Sequence, residues 1–484
     1  MKASSTPALN AGRNLAVGSL MLSMFFAMAS NTMVLTGLPR IIEDLDGTQT
    51  QYTWIITTSL LTLTVGTPVW ARLSDLFSRQ RLMQVAVVVY ALATAGAGLA
   101  QDPWFIVGCR FFIGVGAGGI VTLVQLMVTD LTTPEERPRY FGYLGANMAV
   151  ATVAAPALGG LVVDLGGWRW CFFSTVPVAF LSLGILQLGM RGQHAVAVRQ
   201  PQRAPFDLRG AALVTSTTLL LMVWLTVVGP EVGWASSTSM AVLAVGAVGA
   251  VAVVLVERKV ESPMLPLHLL RHPEILKVLG ASVAVGAATF GGAVYVAQYL
   301  QDARGLSTGT AGLLMVPMAA ATFVSSILAG RIISRSGNYK PVVVAGAALS
   351  ALGAAPLAFL ALDTSLWTVA LATTALGFGL GAVGQQLIVV AQQHLSPAEL
   401  NIGSALVMFV RNVASVLCLC VFSVVVAGRL DATPGPAGYA EGAALVFAIT
   451  TGAAVVGLVL LAMLRRAPAR LPSAIPKADP EPVG

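Results

Sequence analysis

Fourteen apolar runs, each close to the roughly 20 residues needed to cross hydrocarbon at 1.5 Å rise per residue, dominate this chain. They cover approximately 15–38, 52–70, 82–100, 104–129, 141–162, 170–190, 209–229, 236–256, 276–300, 308–330, 341–361, 366–391, 401–427 and 443–464. Only helices or closed barrels satisfy their backbone in lipid, and runs of this length specify helices. Charged residues make up 10% of the 484, against roughly 25% in a soluble domain, and mean hydropathy is +0.81. The expected fold is an all-α polytopic membrane protein.

Basic residues orient the spans. With the N-terminus inside, four of the 28 Lys and Arg fall outside (Arg40, Arg169, Arg304 and Arg429), and Arg110 and Arg411 lie within helices. The remaining 22 occupy cytoplasmic loops and tails, a strong positive-inside bias. Losing one helix would invert every later loop and destroy the bias. An even count also leaves both termini cytoplasmic. The net charge of +7 is spread over short loops, so it is not a nucleic-acid footprint. The cysteines, Cys109, Cys171, Cys418 and Cys420, lie in or beside apolar runs without ligand spacing, so packing rather than metal or disulfide is expected. The polar start MKASSTPALNAGRN precedes a run long enough to span, so the first helix is expected to be retained.

Two longer connections, Arg191–Leu208 and Glu257–Ile275, divide the runs into six, two and six. The expected units are a cytoplasmic tail 1–14, a six-helix bundle 15–190, two additional helices 209–256, a cytoplasmic linker 257–275, a second six-helix bundle 276–464 and a disordered cytoplasmic tail 465–484. The linker's PMLPLHLLRHPEI mixes apolar residues with bases and is expected to lie on the membrane surface. The most informative turn is ARLSDLFSRQR, Ala71–Arg81, between the second and third runs. GRIISRSGNYK, Gly330–Lys340, echoes it at the equivalent place in the second six. Two pseudo-symmetric bundles are a transporter plan.

Several stretches carry a family likeness. ARLSDLFSRQR is similar to the G-x-L-a-D-r-x-G-R-[RK] turn, with Leu73, Asp75, Arg79 and Arg81 matching and Ala71, Leu76 and Ser78 departing. RFFIGVGAGG from Arg110, APALGG (Ala155–Gly160), WRWCFFSTVP (Trp168–Pro177) and YLQDARGLSTGTAGLLMVP (Tyr299–Pro317) add four more matches. The chain resembles the major facilitator superfamily, specifically its fourteen-helix drug:proton antiporters, from about Leu15 to Leu464. The resemblance implies two six-helix bundles plus two extra helices, 14 in all. It departs in helix 1, where many relatives carry an acid. Aligned on Leu38–Pro39, that place holds Ser30, followed by Asn31, and no Asp or Glu falls mid-helix. Proton coupling usually needs such a group.

The resemblance implies roles for particular residues. Asp75, with Arg79 and Arg81, reads as a conformational latch engaging the start of helix 13 near Asn401–Ser404, where free N–H groups attract negative charge. The alternative is a solvated ion pair with Arg79 or Arg81, worth little. Arg411 lies about 15 Å into helix 13, near the midplane where substrate sites of such transporters lie. Arg110 is nearer the external end, where snorkelling is an alternative, and it matches a position linked to proton coupling. Pro156 with Gly159 and Gly160 reads as a bend that gates and limits leak, or as a packing kink.

The runs Gly114-x-Gly116-x-Gly118-Gly119 and Gly377-x-Gly379-x-Gly381 read as close packing, not phosphate loops. Ser30, Asn31, Trp54, Gln125, Asn147, Tyr295, Gln298, Gln385, Gln386, Arg411 and Asn412 are candidates to line a roomy, weakly polar cavity. Without mid-helix carboxylates, that cavity suits neutral or anionic amphiphiles at least as readily as cations.

The expected function is export of drug-like or antibiotic-like amphiphiles from a bacterial cell, across its plasma membrane, by alternating access in exchange for protons. An importer or facilitator of a small nutrient, or a membrane scaffold or sensor, are the alternatives. No nucleotide loop, catalytic constellation or metal cluster is present in the sequence, and its four histidines, His194, His268, His272 and His394, fall in loops. No enzyme activity and no cofactor are therefore expected, the proton gradient being the energy source. The expected partners are small amphiphilic substrates and membrane lipids, with no nucleic acid, around a monomer.

Overall fold

A computed structural model describes residues 7–190, 207–260, 266–397 and 399–465. Among these the first bundle is α1 (Pro7–Asp44), α2 (Gln49–Leu76), α3 (Arg79–Gly98), α4 (Pro103–Leu131), α5 (Arg137–Gly166) and α6 (Trp170–Met190). Helices α7 (Arg209–Val232) and α8 (Ser237–Glu257) form a hairpin. The second bundle is α9 (273–303), α10 (Thr308–Ser336), α11 (Lys340–Phe359), α12 (Leu366–Gln393), α13 (Leu400–Ala432) and α14 (Pro436–Ala462).

Twelve helices among the described residues are long and apolar enough to cross a membrane. Packing sets the other two, α5 and α9, in the same bundles. The first helix starts at Pro7, well inside the stretch expected to be a tail. The connection 191–206, the linker residues 261–265, the Pro156 side chain and the tail from 466 lie outside the described residues.

Helix boundaries follow from local chemistry. Thr48 and Gln51 form a reciprocal capping box at the start of α2. Asp102 accepts from the Trp104 amide ahead of Pro103, which suits the first helical position because it has no N–H to satisfy. Ser307 caps α10, which ends on Gly337 at φ +66°, a left-handed conformation favourable to glycine. Several helices are irregular inside, α7 with a π turn at Trp224–Val228 among them. Helix α9 passes through π turns at Gly291–Tyr295 and Tyr299–Ala303, and α12 breaks between Leu366–Val383 and Gln386–Gln393. The linker forms a short 3-10 turn, Leu267–Arg271, with Leu269 buried and Leu270 exposed.

The two bundles repeat one packing plan. In the first, α1 packs on α5 and α6, α4 on α2 and α3, and α3 on α6. In the second, α9 packs on α13 and α14, α12 on α10 and α11, and α11 on α14. The bundles meet through α5–α10 and α2–α13, which are each other's counterparts. The α7–α8 hairpin packs on α2 beside this seam, with Met222 against Leu61 and Val416.

Glycines set the spacing. A Cβ on Gly114 or Gly118 would strike α2 at Ser59 or Leu63, and one on Gly116 would strike α3 at Tyr90. The second bundle repeats this: Gly377 and Gly381 face α10 at Met318 and Thr322, and Gly379 faces α11 at Ser350. Close approach of backbones is how helices associate where lipid removes the hydrophobic drive.

Gly114→Ala places a Cβ against the Thr62 hydroxyl and the Ser59 carbonyl oxygen. It is expected to destabilise the fold by about 1–3 kcal/mol, the usual cost of overpacking. Gly108→Ala, with nothing within 4 Å, is the control. Thermal unfolding in detergent compares them; equal melting temperatures would remove the packing role.

Candidate functional site

The Ala71–Arg81 turn closes a network that crosses the seam. Asp75 ends α2 and accepts from Arg72 Nη1 at 3.1 Å and from Asn401 Nδ2 at 2.8 Å. Its partner across the seam is thus a side-chain amide in the first turn of α13, not the helix's backbone N–H groups. Arg79 pairs elsewhere: with the Asp130 carboxylate, and with the Leu126 carbonyl at 2.9 Å. Arg81 is exposed, and its amide donates to the Ser78 capping oxygen. The expected solvated pair of Asp75 with Arg79 or Arg81 is therefore replaced by Arg72–Asp75, two residues largely shielded from water. Reading the turn for its matching positions alone missed Arg72 and Asp130.

The echo turn behaves in parallel. In the register that pairs Ala71 with Gly330, Asp75 corresponds to Ser334, and Ser334 Oγ donates across the seam to the Glu135 carbonyl at 2.6 Å. Three glutamines of α12 add to the junction. Gln385 donates to Met148 Sδ at 3.0 Å, Gln386 to the Pro138 carbonyl at 2.9 Å, and Gln392 to Thr129 Oγ1 at 3.2 Å and Ser404 Oγ at 2.9 Å.

Apart from the Gln385 contact, which lies deeper, these bonds are on the face that holds the two turns, where one buried core runs through both bundles. Toward the opposite face, a separate core belongs to the second bundle alone. Glu399, just before α13, is held on this face too. Its carboxyl accepts from Ser396, lies 2.9 Å from His268, and sits below its ordinary pKa, chiefly through the Ser396 hydroxyl against an opposing effect of burial.

The two intrahelical arginines differ. Arg110 is 2% exposed, and donates from Nε to the Ile55 carbonyl at 2.9 Å and from Nη1 to Asn31 Oδ1 at 3.0 Å. Ser30 and Tyr90 are buried, and the Tyr90 hydroxyl reaches the Phe26 carbonyl at 3.4 Å. Snorkelling does not describe this residue. Arg411 is half-buried and donates from Nη1 to the Gly384 carbonyl at 2.7 Å. Among the described residues, neither arginine forms an ion pair.

The other candidates meet different neighbours. Tyr295 of α9 is buried against α13, its hydroxyl donating to the Leu419 carbonyl, and Gln298 accepts from Tyr439 of α14, so both face the interior of the second bundle. Gln386 is fully buried in the seam. Asn147 donates to the Met21 carbonyl of α1, and Gln125 is 1% exposed with neither amide atom bonded. Trp54 and Asn412 are half-buried. Their sequence types signalled polarity in the membrane, but a residue type does not say which neighbour it faces. Gly159 seats Met33 of α1 against α5, while Gly160 meets nothing within 4 Å. A small cavity lies inside the second bundle, lined in part by Ala284, Ala288, Leu380, Val383 and Ala454.

The repeated bundle and its cross-seam counterparts match the family assignment from sequence. The model of the Major Facilitator Superfamily covers residues 20–419. The chain belongs to the major facilitator superfamily. Members of this superfamily are transporters, not enzymes. The chain is similar to the multidrug transporter protein MdtP of Bacillus subtilis, 27% identical over 86% of this chain and 76% of that one. It also resembles efflux pump dotC of Dothistroma septosporum, 26% identical over 82% and 69%. Among solved structures, the human organic anion transporter MFSD10 aligns over 94% of this chain and 100% of its own, with TM-score 0.68 and 15% identity. The proton:xylose symporter XylE aligns over 91% and 95%, with TM-score 0.64 and 12% identity. These two likenesses are of fold.

Breaking the Arg79–Asp130 pair leaves a partly buried carboxylate without its main cation. Arg79→Met is expected to cost about 3 kcal/mol, the lower end for such pairs because Asp130 keeps some contact with water. Arg40→Met removes the exposed Arg40–Asp164 pair and should cost less than about 1 kcal/mol. Chemical denaturation of the purified variants compares the two; equal losses would overturn the distinction.

Proposed function

We propose that this protein exports drug-like or antibiotic-like amphiphiles across a bacterial plasma membrane by alternating access, in exchange for protons. Its turn-bearing face is then cytoplasmic and both termini lie inside, as the distribution of arginine and lysine requires. The carrying observation is the Asp75–Asn401 bond, which ties α2 to α13 across a seam built from counterpart helices. Such a seam lets two bundles rock about a shared axis. With this face joined, the outward half is free to release substrate, and breaking the latch permits the reverse arrangement. Relatives named as multidrug transporter and efflux pump support the direction. The working unit is a monomer with no resident cofactor, drawing on an ion gradient.

One observation favours a second reading, a facilitator without proton coupling. The partner of Arg110 is the amide of Asn31, which does not titrate, where a carboxylate would carry the proton.

Proteoliposomes decide between them, with carboxyfluorescein and rhodamine 6G as probes and a pH gradient imposed or absent. Uphill movement of either dye under the gradient is expected. Downhill movement indifferent to pH establishes the facilitator, and no movement of either dye removes the export reading. Asp75→Asn keeps the side-chain volume but loses the charge paired with Arg72. It is expected to slow turnover several-fold with membrane insertion intact, and a wild-type rate would remove the latch.

A further inference from the structure

Arg411 is a permanent cation whose nearest compensation is a single carbonyl, and the reason lies in α12. In a regular helix the Gly384 carbonyl would accept from the Ile388 amide. Here that amide turns to the Gln385 carbonyl at 3.3 Å, because α12 breaks after Val383. The freed Gly384 oxygen, at the carbonyl end of the Leu366–Val383 segment, takes the Arg411 guanidinium instead. A helix C-terminus contributes roughly half a negative charge, so positive charge remains. Nη1 makes the bond to Gly384, and the side chain is half-buried rather than enclosed.

Three features separate this residue from a structural cation. It lies about 16 Å along α13 from Leu400, near mid-membrane. The break that meets it adjoins the seam, since Gln385 reaches across to Met148 while its own Oε1 is buried without a partner. Neighbouring Asn412 is half-buried, so its amide is a second polar group at the same depth. Arg110, by contrast, is enclosed in the first bundle and bonded to Ile55 and Asn31.

A guanidinium does not lose its proton in a protein, so Arg411 is unsuited to carrying one. Held at this depth without a carboxylate, it represents a standing cost. An incoming anion recovers that cost, and the planar fork suits a two-oxygen acceptor.

We infer that Arg411 anchors an anionic group, a carboxylate or sulfonate, on the transported amphiphile. This rests on the export reading above and sets its substrate class: amphiphilic anions are preferred over cations. The Gly384 carbonyl holds the guanidinium in place, and Arg411 presents its remaining donors to the ligand.

Binding separates this inference from transport. Fluorescence anisotropy of the full-length protein in detergent is measured with carboxyfluorescein and with rhodamine 6G, xanthene dyes of opposite charge. The wild type is expected to bind the anion at least tenfold more tightly than the cation. Arg411→Gln should weaken the anion at least tenfold and leave the cation unchanged or tighter, while Arg411→Lys should recover most of the affinity. A structural role alone would move both dyes together.

Equal or cation-favouring binding by the wild type overturns the inference, without any variant having to fold. So does unchanged anion binding in Arg411→Gln, or no binding of either dye. Anion binding through Arg411 in a protein that moves neither dye in proteoliposomes upholds the inference and removes the export reading instead.

Discussion

In hydrocarbon no water reaches a backbone carbonyl or a guanidinium, so every polar group must find its partner inside the protein. That constraint accounts for the helices, and also for where they stop being regular. The break in α12 releases the Gly384 carbonyl, and Arg411 occupies it at 2.7 Å. Arg110 meets the same need with the Ile55 carbonyl and the Asn31 amide. Neither solution neutralises charge, which separates both arginines from the ion pairs at the helix ends.

At the turn-bearing face the constraint relaxes, because carboxylates near helix ends keep some contact with water. Arg72–Asp75 and Arg79–Asp130 lie there, close to the glutamines that cross the seam. These short polar contacts sit beside an apolar core that both bundles share, with Ala71 and Leu126 packed against Ala405 across the seam. Glycine-spaced backbone contacts hold each bundle together, and Gly142 and Gly330 bring α5 and α10 equally close across the seam.

The duplication reaches single residues. Gly114, Gly116 and Gly118 act on α2 and α3 as Gly377, Gly379 and Gly381 act on α10 and α11. In the same register Thr129 corresponds to Gln392, and these counterparts hydrogen-bond to each other across the seam. The repeat is incomplete where function has room to differ. Asp75 faces Asn401, but its counterpart Ser334 carries no charge and reaches only a carbonyl.

Run length, glycine spacing and the motif-bearing turns made the membrane helices and the superfamily legible without coordinates, because a bilayer leaves so few alternatives. The position of Asp75 at a helix end facing α13 was legible too, through the motif around it. The partners were not. That Arg79 would choose Asp130 over Asp75, that Tyr295 and Gln298 would turn into their own bundle, and that Gln386 would seal a seam depend on contacts between residues far apart in the chain. The sequence by itself determined that these groups lie in or beside the membrane. Only the tertiary structure decided which of them meet, because side-chain direction around a helix is set by the neighbour it packs against.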